Sequence, residues 1–121
     1  MAKWTNDDVL DAALDEIASN CTTMIICNAQ PATRAEALAF ALADEPMVAA
    51  DFTKANGDMS GRKLVIVEKP GIGIDVSDTA THIALIDGAR LLYVTTIVAI
   101  ALVMGEMVGV PTWKIELRDP L

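Results

Sequence analysis

The sequence predicts a mainly β, α+β domain, an antiparallel β-sandwich or barrel-like body with an N-terminal amphipathic helix and one short second helix. Three observations carry this expectation. Extended apolar periodicity of the helical kind is confined to the first twenty residues. Beyond residue 47, short apolar runs follow one another in the manner of strands. Turn residues punctuate those runs at Asn56-Gly57-Asp58, Lys69-Pro70-Gly71, Asp87-Gly88 and Gly105-Glu106. No repeat, low-complexity tract or linker divides the chain, so residues 1–121 read as one domain, within the usual range of about 100–200 residues.

The first element is a helix over residues 5–18, TNDDVLDAALDEIA. Thr5 is the expected N-cap, with Asp8 in the capping-box position and Asp7 in the first turn, where a negative charge opposes the helix dipole. Val9, Leu10, Ala13, Leu14 and Ile17 recur at helical spacing as one apolar face, and Asn20 is a reasonable stop. Trp4 stands at the staple position ahead of the cap and is expected to pack locally. Residues 22–28 read as a strand. Thr33 and Glu36 repeat the cap pattern and open a short helix over 33–39. The stretch 37–43 stays open between continued helix and a strand, because Leu38, Phe40 and Leu42 also alternate. From 47 to 118 an antiparallel β region is expected. Its Asn-Gly-Asp turn joins 49–54 to 63–67 as a hairpin, and Lys69-Pro70-Gly71 is a second turn. Asp87-Gly88 joins 81–86 to 91–97, and Gly105-Glu106 turns 98–103 into 108–117, with Pro111 confining that region to an edge or a bulge.

Composition bounds the function. The chain is 53% hydrophobic but only 4% aromatic and 21% charged, with mean hydropathy +0.40. Disordered chains are poor in hydrophobes, so disorder is excluded. A small domain has too much surface to hide this apolar surplus in one core, and some of it is expected to meet another molecule. Seventeen Asp and Glu against nine Lys and Arg give a formal charge of −8. Nucleic acid and anionic membranes bind through Lys and Arg, and the one basic doublet, Arg62-Lys63, is no cluster. Neither partner is expected. No signal peptide is expected either, since acids interrupt the first apolar stretch. Residues 91–110 are strongly apolar, but Thr95, Thr96 and Glu106 interrupt them and the clean part falls short of the ~18 residues of a span.

Candidate chemistry is sparse. His82 stands in a predicted strand with no second acid, nucleophile or ligand near it in sequence, which favours a structural role. Gly71-Ile72-Gly73 neither follows a strand nor opens a helix and reads as a turn rather than a dinucleotide loop. Asp75, Asp78 and Asp87 lack the oxygen-ligand spacing of a calcium loop. Ser19, Ser60 and Ser77 have no nucleophile-elbow context. Cys21 and Cys27 are held apart by the strand between them and read as free thiols. Trp113 alternates with Ile115 and Leu117 as a core row, although Trp113, Tyr93 and Trp4 are also the side chains that would stack on a sugar. No catalytic residue, cofactor or metal follows from any of these.

The informative segment is Ile97–Met104. A half-buried antiparallel strand alternates apolar with polar residues, and this one is apolar in both phases. Met24-Ile25-Ile26 behaves likewise. Such a strand is either central and covered on both faces or part of a subunit contact, and the scarcity of helices to cover it favours the contact. The expected assembly interface is Met24, Ile25, Ile97, Ala99, Ala101, Val103, Met104 and Met107.

Three stretches carry a family resemblance: TNDDVLDAALDEIASN; NGDMSGRKLVI with TATHIALIDGARLLYVTT; and VPTWKIELRDP. Together they resemble a family of small phage and prophage virion proteins from the head and tail structural module. The resemblance implies a β-rich, non-enzymatic structural subunit that forms homo-oligomers, in particular trimers, without a cofactor, located in a virion or the host cytoplasm. The chain departs from that pattern where polar residues would be expected, at Ile97, Val98, Ile100, Val103, Met104 and Met107, and at Met24, Ile25 and Met47. A different natural partner accounts for this, and so does an engineered surface that docks a stable oligomer, with a second chain or alone, into a larger cage. The alternative class is a binding module for a carbohydrate or small apolar ligand.

Overall fold

A computed structural model describes residues 4–119. Its helices are α1, Asp7–Asn20, and α2, Arg34–Ala39, with a 3-10 turn at Ala49–Asp51. The strands are β1 (Thr23–Cys27), β2 (Ala41–Pro46), β3 (Phe52–Asn56), β4 (Arg62–Ile66), β5 (Lys69–Gly73), β6 (Asp78–Ile86), β7 (Leu91–Leu102), β8 (Met107–Val110) and β9 (Trp113–Leu117). They form three antiparallel sheets, β2-β1-β6-β7, β3-β4-β9 and β5-β8. The mainly β, α+β fold class expected from sequence is present.

One large core lies between the sheets and α1. Leu14 enters it from the helix, Met24 and Ile26 from β1, Leu64 and Ile66 from β4, and Ile83 and Leu85 from β6. A smaller cluster covers the opposite face of the four-stranded sheet, where Ala37 of α2 meets Ile25, Cys27, Ala84 and Ile86. Successive residues of a strand point to opposite faces, so β1 supplies both clusters and must be apolar throughout.

The helices start where side chains can take up their free N–H groups. Asn6, one residue later than the expected Thr5, caps α1, its Oδ1 accepting from the Asp8 N–H at 2.7 Å. A carbonyl on a short side chain makes Asn one of the strongest N-caps. The buried stripe is Leu10 and Leu14, with Ile17 and Ala18 packed beside it, whereas Val9 and Ala13 are exposed. The acids do not simply face water. Asp11 pairs with Arg62 at 2.8 Å, Asp15 with Lys54 at 3.0 Å and Glu16 with Arg90 at 3.0 Å. These pairs join the helix to β3, to β4 and to the turn before β7. Trp4 is 71% exposed and forms no staple. In α2 the Thr33 hydroxyl accepts from the Glu36 N–H, and the Glu36 carboxylate turns back to the Ala32 N–H. The open stretch 37–43 divides, as the helix ends at Ala39 and β2 begins at Ala41.

Two turn expectations fail. Lys69-Pro70-Gly71 and the following Ile72-Gly73 form strand β5, tolerated because that strand has only β8 as a hydrogen-bonded neighbour and its register shifts around Pro70. The Gly105 turn exists, with Gly105 at φ +91°, but it does not fold β8 back on β7. Ile74 N–H donates to the Glu106 carbonyl at 2.9 Å and Gly105 N–H to the Ile74 carbonyl at 3.1 Å. That pair of bonds delivers β8 to β5, and the expected strands 91–97 and 98–103 become the single long β7 on β6.

Candidate assembly surface

The expected interface residues separate into two sets. Met24 and Ile25 are fully buried within the subunit, one in each core cluster, and have no surface left to offer. The covered central strand is the right reading for them, because α2 closes the second face. The residues at 97–107 behave differently, and a bulge decides how. Ala80 pairs with Ile100 and His82 with Thr96, so Thr81 alone opposes Ile97, Val98 and Ala99. Two extra residues in β7 break its alternation. Ile97 packs against the main core together with buried Leu102, and Ala99 and Ala101 are exposed. Val98, which strict alternation left out of the expected interface, is the most exposed large apolar residue among those described, at 92%.

Around it stand Ile100 at 47%, Val103 at 51%, Met104 at 65% and Met107 at 75% exposure. Val98 and Ile100 border a hollow of about 480 Å³ that reaches Ile26 and Ile83 of the core, with Val108 and Val110 on its far wall. No charged residue stands between Arg90 and Glu106. The outer edge of β7 has no strand neighbour among the described residues. Edge backbone, exposed apolar side chains and an opening toward the core therefore occur together at β7.

A second cleft, about 540 Å³, shares Ile83 and Ile97 with the first and runs between β7 and β9. Thr95, Thr96, Thr112, Lys63, Lys114 and Trp113 line it. Tyr93 and Trp113 stack with ring centroids 6.2 Å apart, and the Trp113 indole N–H is buried without a partner. Trp113 packs at the margin of the core rather than within it. The lysines are engaged: Lys63 binds Asp58 at 2.7 Å, and Lys114 binds Asp58 and Glu116.

The other candidates carry structure. The His82 ring hydrogen-bonds to the Thr81 hydroxyl at 2.8 Å and its strand neighbours are Cys27 and Thr96, with no carboxylate or thiolate partner among the described residues. Asp87 closes the β6–β7 turn. Its carboxylate accepts from the Ala89 and Arg90 N–H groups and from Arg90 Nε at 2.8 Å, which holds its pKa below the ordinary range, the Ala89 bond contributing most. Asp78 is lowered by the side-chain amide of Asn28 and then by the Thr79 N–H. Both cysteines are buried free thiols, Cys21 in the main core and Cys27 in the smaller one, and burial pushes each pKa up to about 11. Among the described residues no group of three His, Cys, Asp or Glu side chains is placed to hold a metal, and no helix is long and apolar enough to cross a membrane. Comparison with known proteins found no matching family model, no similar curated protein and no matching solved structure.

Proposed function

We propose that this chain is a non-enzymatic structural subunit. It self-assembles as a homo-oligomer, a trimer if the virion-protein resemblance holds, and makes a further hydrophobic contact in a larger assembly, either a phage virion-like particle or an engineered cage. The observation that carries this reading is the group of exposed apolar side chains Val98, Ile100, Val103, Met104 and Met107, interrupted by Glu106, on a chain of net charge −8. Contact cores are depleted of charge and enriched in Met, and a monomer seldom leaves such a patch in water. Native mass spectrometry and light scattering test it. A defined oligomer at micromolar concentration is expected, and a monomer throughout that range rules the reading out.

The cleft beside Trp113 favours a second reading, a binding module for a carbohydrate or small apolar ligand. Threonine hydroxyls beside an aromatic face are suitable for a sugar. Thermal shift and tryptophan fluorescence across a glycan and lipid panel decide it, and a flat response removes it.

A further inference from the structure

Two hollows adjoin on the open side of the core, and their linings differ in kind. The first, of about 480 Å³, reaches down to Ile26 and Ile83, and every side chain on its wall is apolar. The second, of about 540 Å³, carries the hydroxyls of Thr95, Thr96 and Thr112 beside Trp113. Ile83 and Ile97 line both, so an apolar compartment stands directly against a polar one. Small-molecule sites are largely apolar, hold a few polar groups that fix orientation, and span about 300–1,000 Å³.

The bulge in β7 builds the apolar compartment. A regular strand sends successive side chains to opposite faces, yet Ile97, Val98, Ala99 and Ile100 all stand on its wall, because two extra residues interrupt the pairing with β6 there. The polar compartment offers uncharged groups. Lys63 is bound to Asp58, and Lys114 to Asp58 and Glu116, so neither lysine is free to hold an anion, and a net charge of −8 opposes one. Threonine hydroxyls both donate and accept hydrogen bonds. Trp113, on the same wall, has an indole N–H without an acceptor, and buried donors of that kind are rare. A wholly apolar ligand would leave the hydroxyls against hydrocarbon, and a sugar alone would leave the apolar hollow to water.

We propose that the adjoining hollows bind one neutral, single-chain amphiphile of the alkyl glycoside class. Its chain occupies the apolar hollow and its sugar the threonine-lined cleft. The proposal rests on the binding-module reading and deepens it, since the sugar and the apolar ligand of that reading become two ends of one molecule.

Octyl glucoside, titrated below its critical micelle concentration, is the probe. Methyl glucoside supplies the head alone and octanol the chain alone. Trp4 is 71% exposed and is replaced, Trp4→Phe, so that Trp113 is the tryptophan observed. Its emission should shift saturably, with octyl glucoside held roughly tenfold more tightly than either part, because joining the parts makes the second contact intramolecular. Ala99→Phe fills the apolar hollow from an exposed position and should weaken the complex roughly tenfold. Thr112→Val removes a hydroxyl at similar size and should weaken it roughly threefold. Both variants should keep the parent circular dichroism. Methyl glucoside or octanol binding as tightly as octyl glucoside overturns the amphiphile while the binding-module reading stands. An affinity for octyl glucoside that both variants leave unchanged overturns the site. Silence toward all three compounds overturns the proposal; a response elsewhere in the glycan and lipid panel then keeps the binding-module reading, and a flat panel ends both.

Discussion

At the residue scale, β7 shows how one irregularity redirects side chains. Ile97 and Val98 are chemically alike and adjacent, yet the bulge opposite Thr81 packs the first against the core and leaves the second in water. Lysine therefore has opposite effects at the two sites. Ile97→Lys should destabilise the subunit by about 1–3 kcal/mol, since a charge displaces core-facing apolar surface, whereas Val98→Lys should stay within about 0.5 kcal/mol. Urea unfolding of the two variants, taken below any association, separates them, and equal midpoints would contradict the bulge geometry. The thiols give a second residue-level expectation. Burial raises both to about 11, so at pH 8 neither is a thiolate and the native protein should resist a thiol-specific reagent, reacting fully once unfolded. As the folded pKa values lie above the unfolded ones, any stability linked to the thiols is present below the ordinary cysteine range and is lost as pH rises toward 11. Sequence alone made Met24 and Ile25 look like surface, because it could not show that α2 covers the second face of β1. It did pick out the apolar stretch 97–107, but it left Val98 and Ile100 out of the expected interface and put the core-packed Ile97 in it, because no local signal marks two inserted residues.

Elements were legible in proportion to how local their causes are. Both helix starts were close because a cap lies within three residues of what it satisfies. Thr33 was assigned correctly, and Asn6 displaced Thr5 by one position. Asn6→Ala and Thr33→Ala should each cost about 1 kcal/mol of unfolding free energy, measurable as a shift in denaturant midpoint at constant slope. No shift in either would mean that these hydrogen bonds are exchanged for water without loss. The Asn56–Asp58 hairpin was likewise readable. It closes at Gly61, whose φ of +70° and approach to the Leu117 carbonyl both exclude a Cβ. β5 and the pairing of β8 were not legible. Proline and glycine signal turns locally, and only the distant Ile74 shows that Lys69–Gly73 is held as a strand edge. The hydrogen-bonded order of strands depends on such remote partners, which periodicity does not record.

For the molecule as a whole, charge was read correctly in sign and less well in placement. Periodicity assigned no partners to the acids of α1, and three of them tie the helix to Arg62, Lys54 and Arg90 on separate loops and strands. Other carboxylates hold turns and strand ends: Asp78, Asp87 and Glu116 all have lowered pKa values, Glu116 chiefly through its hydrogen bond from Arg118. The unfolded chain binds protons more readily than the folded one in the acid range, so stability rises with pH there. It should be fully present above the ordinary carboxylate values of about 4 and decline below them as the folded groups take up protons. Chemical denaturation across that interval checks the sign, and a midpoint that rose on acidification would contradict it.

The position of β9 constrains how the chain can fold. β9 is synthesised after every other described strand, yet it pairs with β4 some fifty residues earlier and brings Ile115 into the main core. Until it emerges, β3 and β4 are a two-stranded hairpin backed by α1, and two strands alone are marginal at best in water. The four-stranded sheet draws on β1, β2, β6 and β7 and needs nothing beyond Leu102. A nascent chain can therefore complete one wall early while its core waits for β9. Chains halted at Pro111 would carry that open wall into solution, where capture by a chaperone competes with closure.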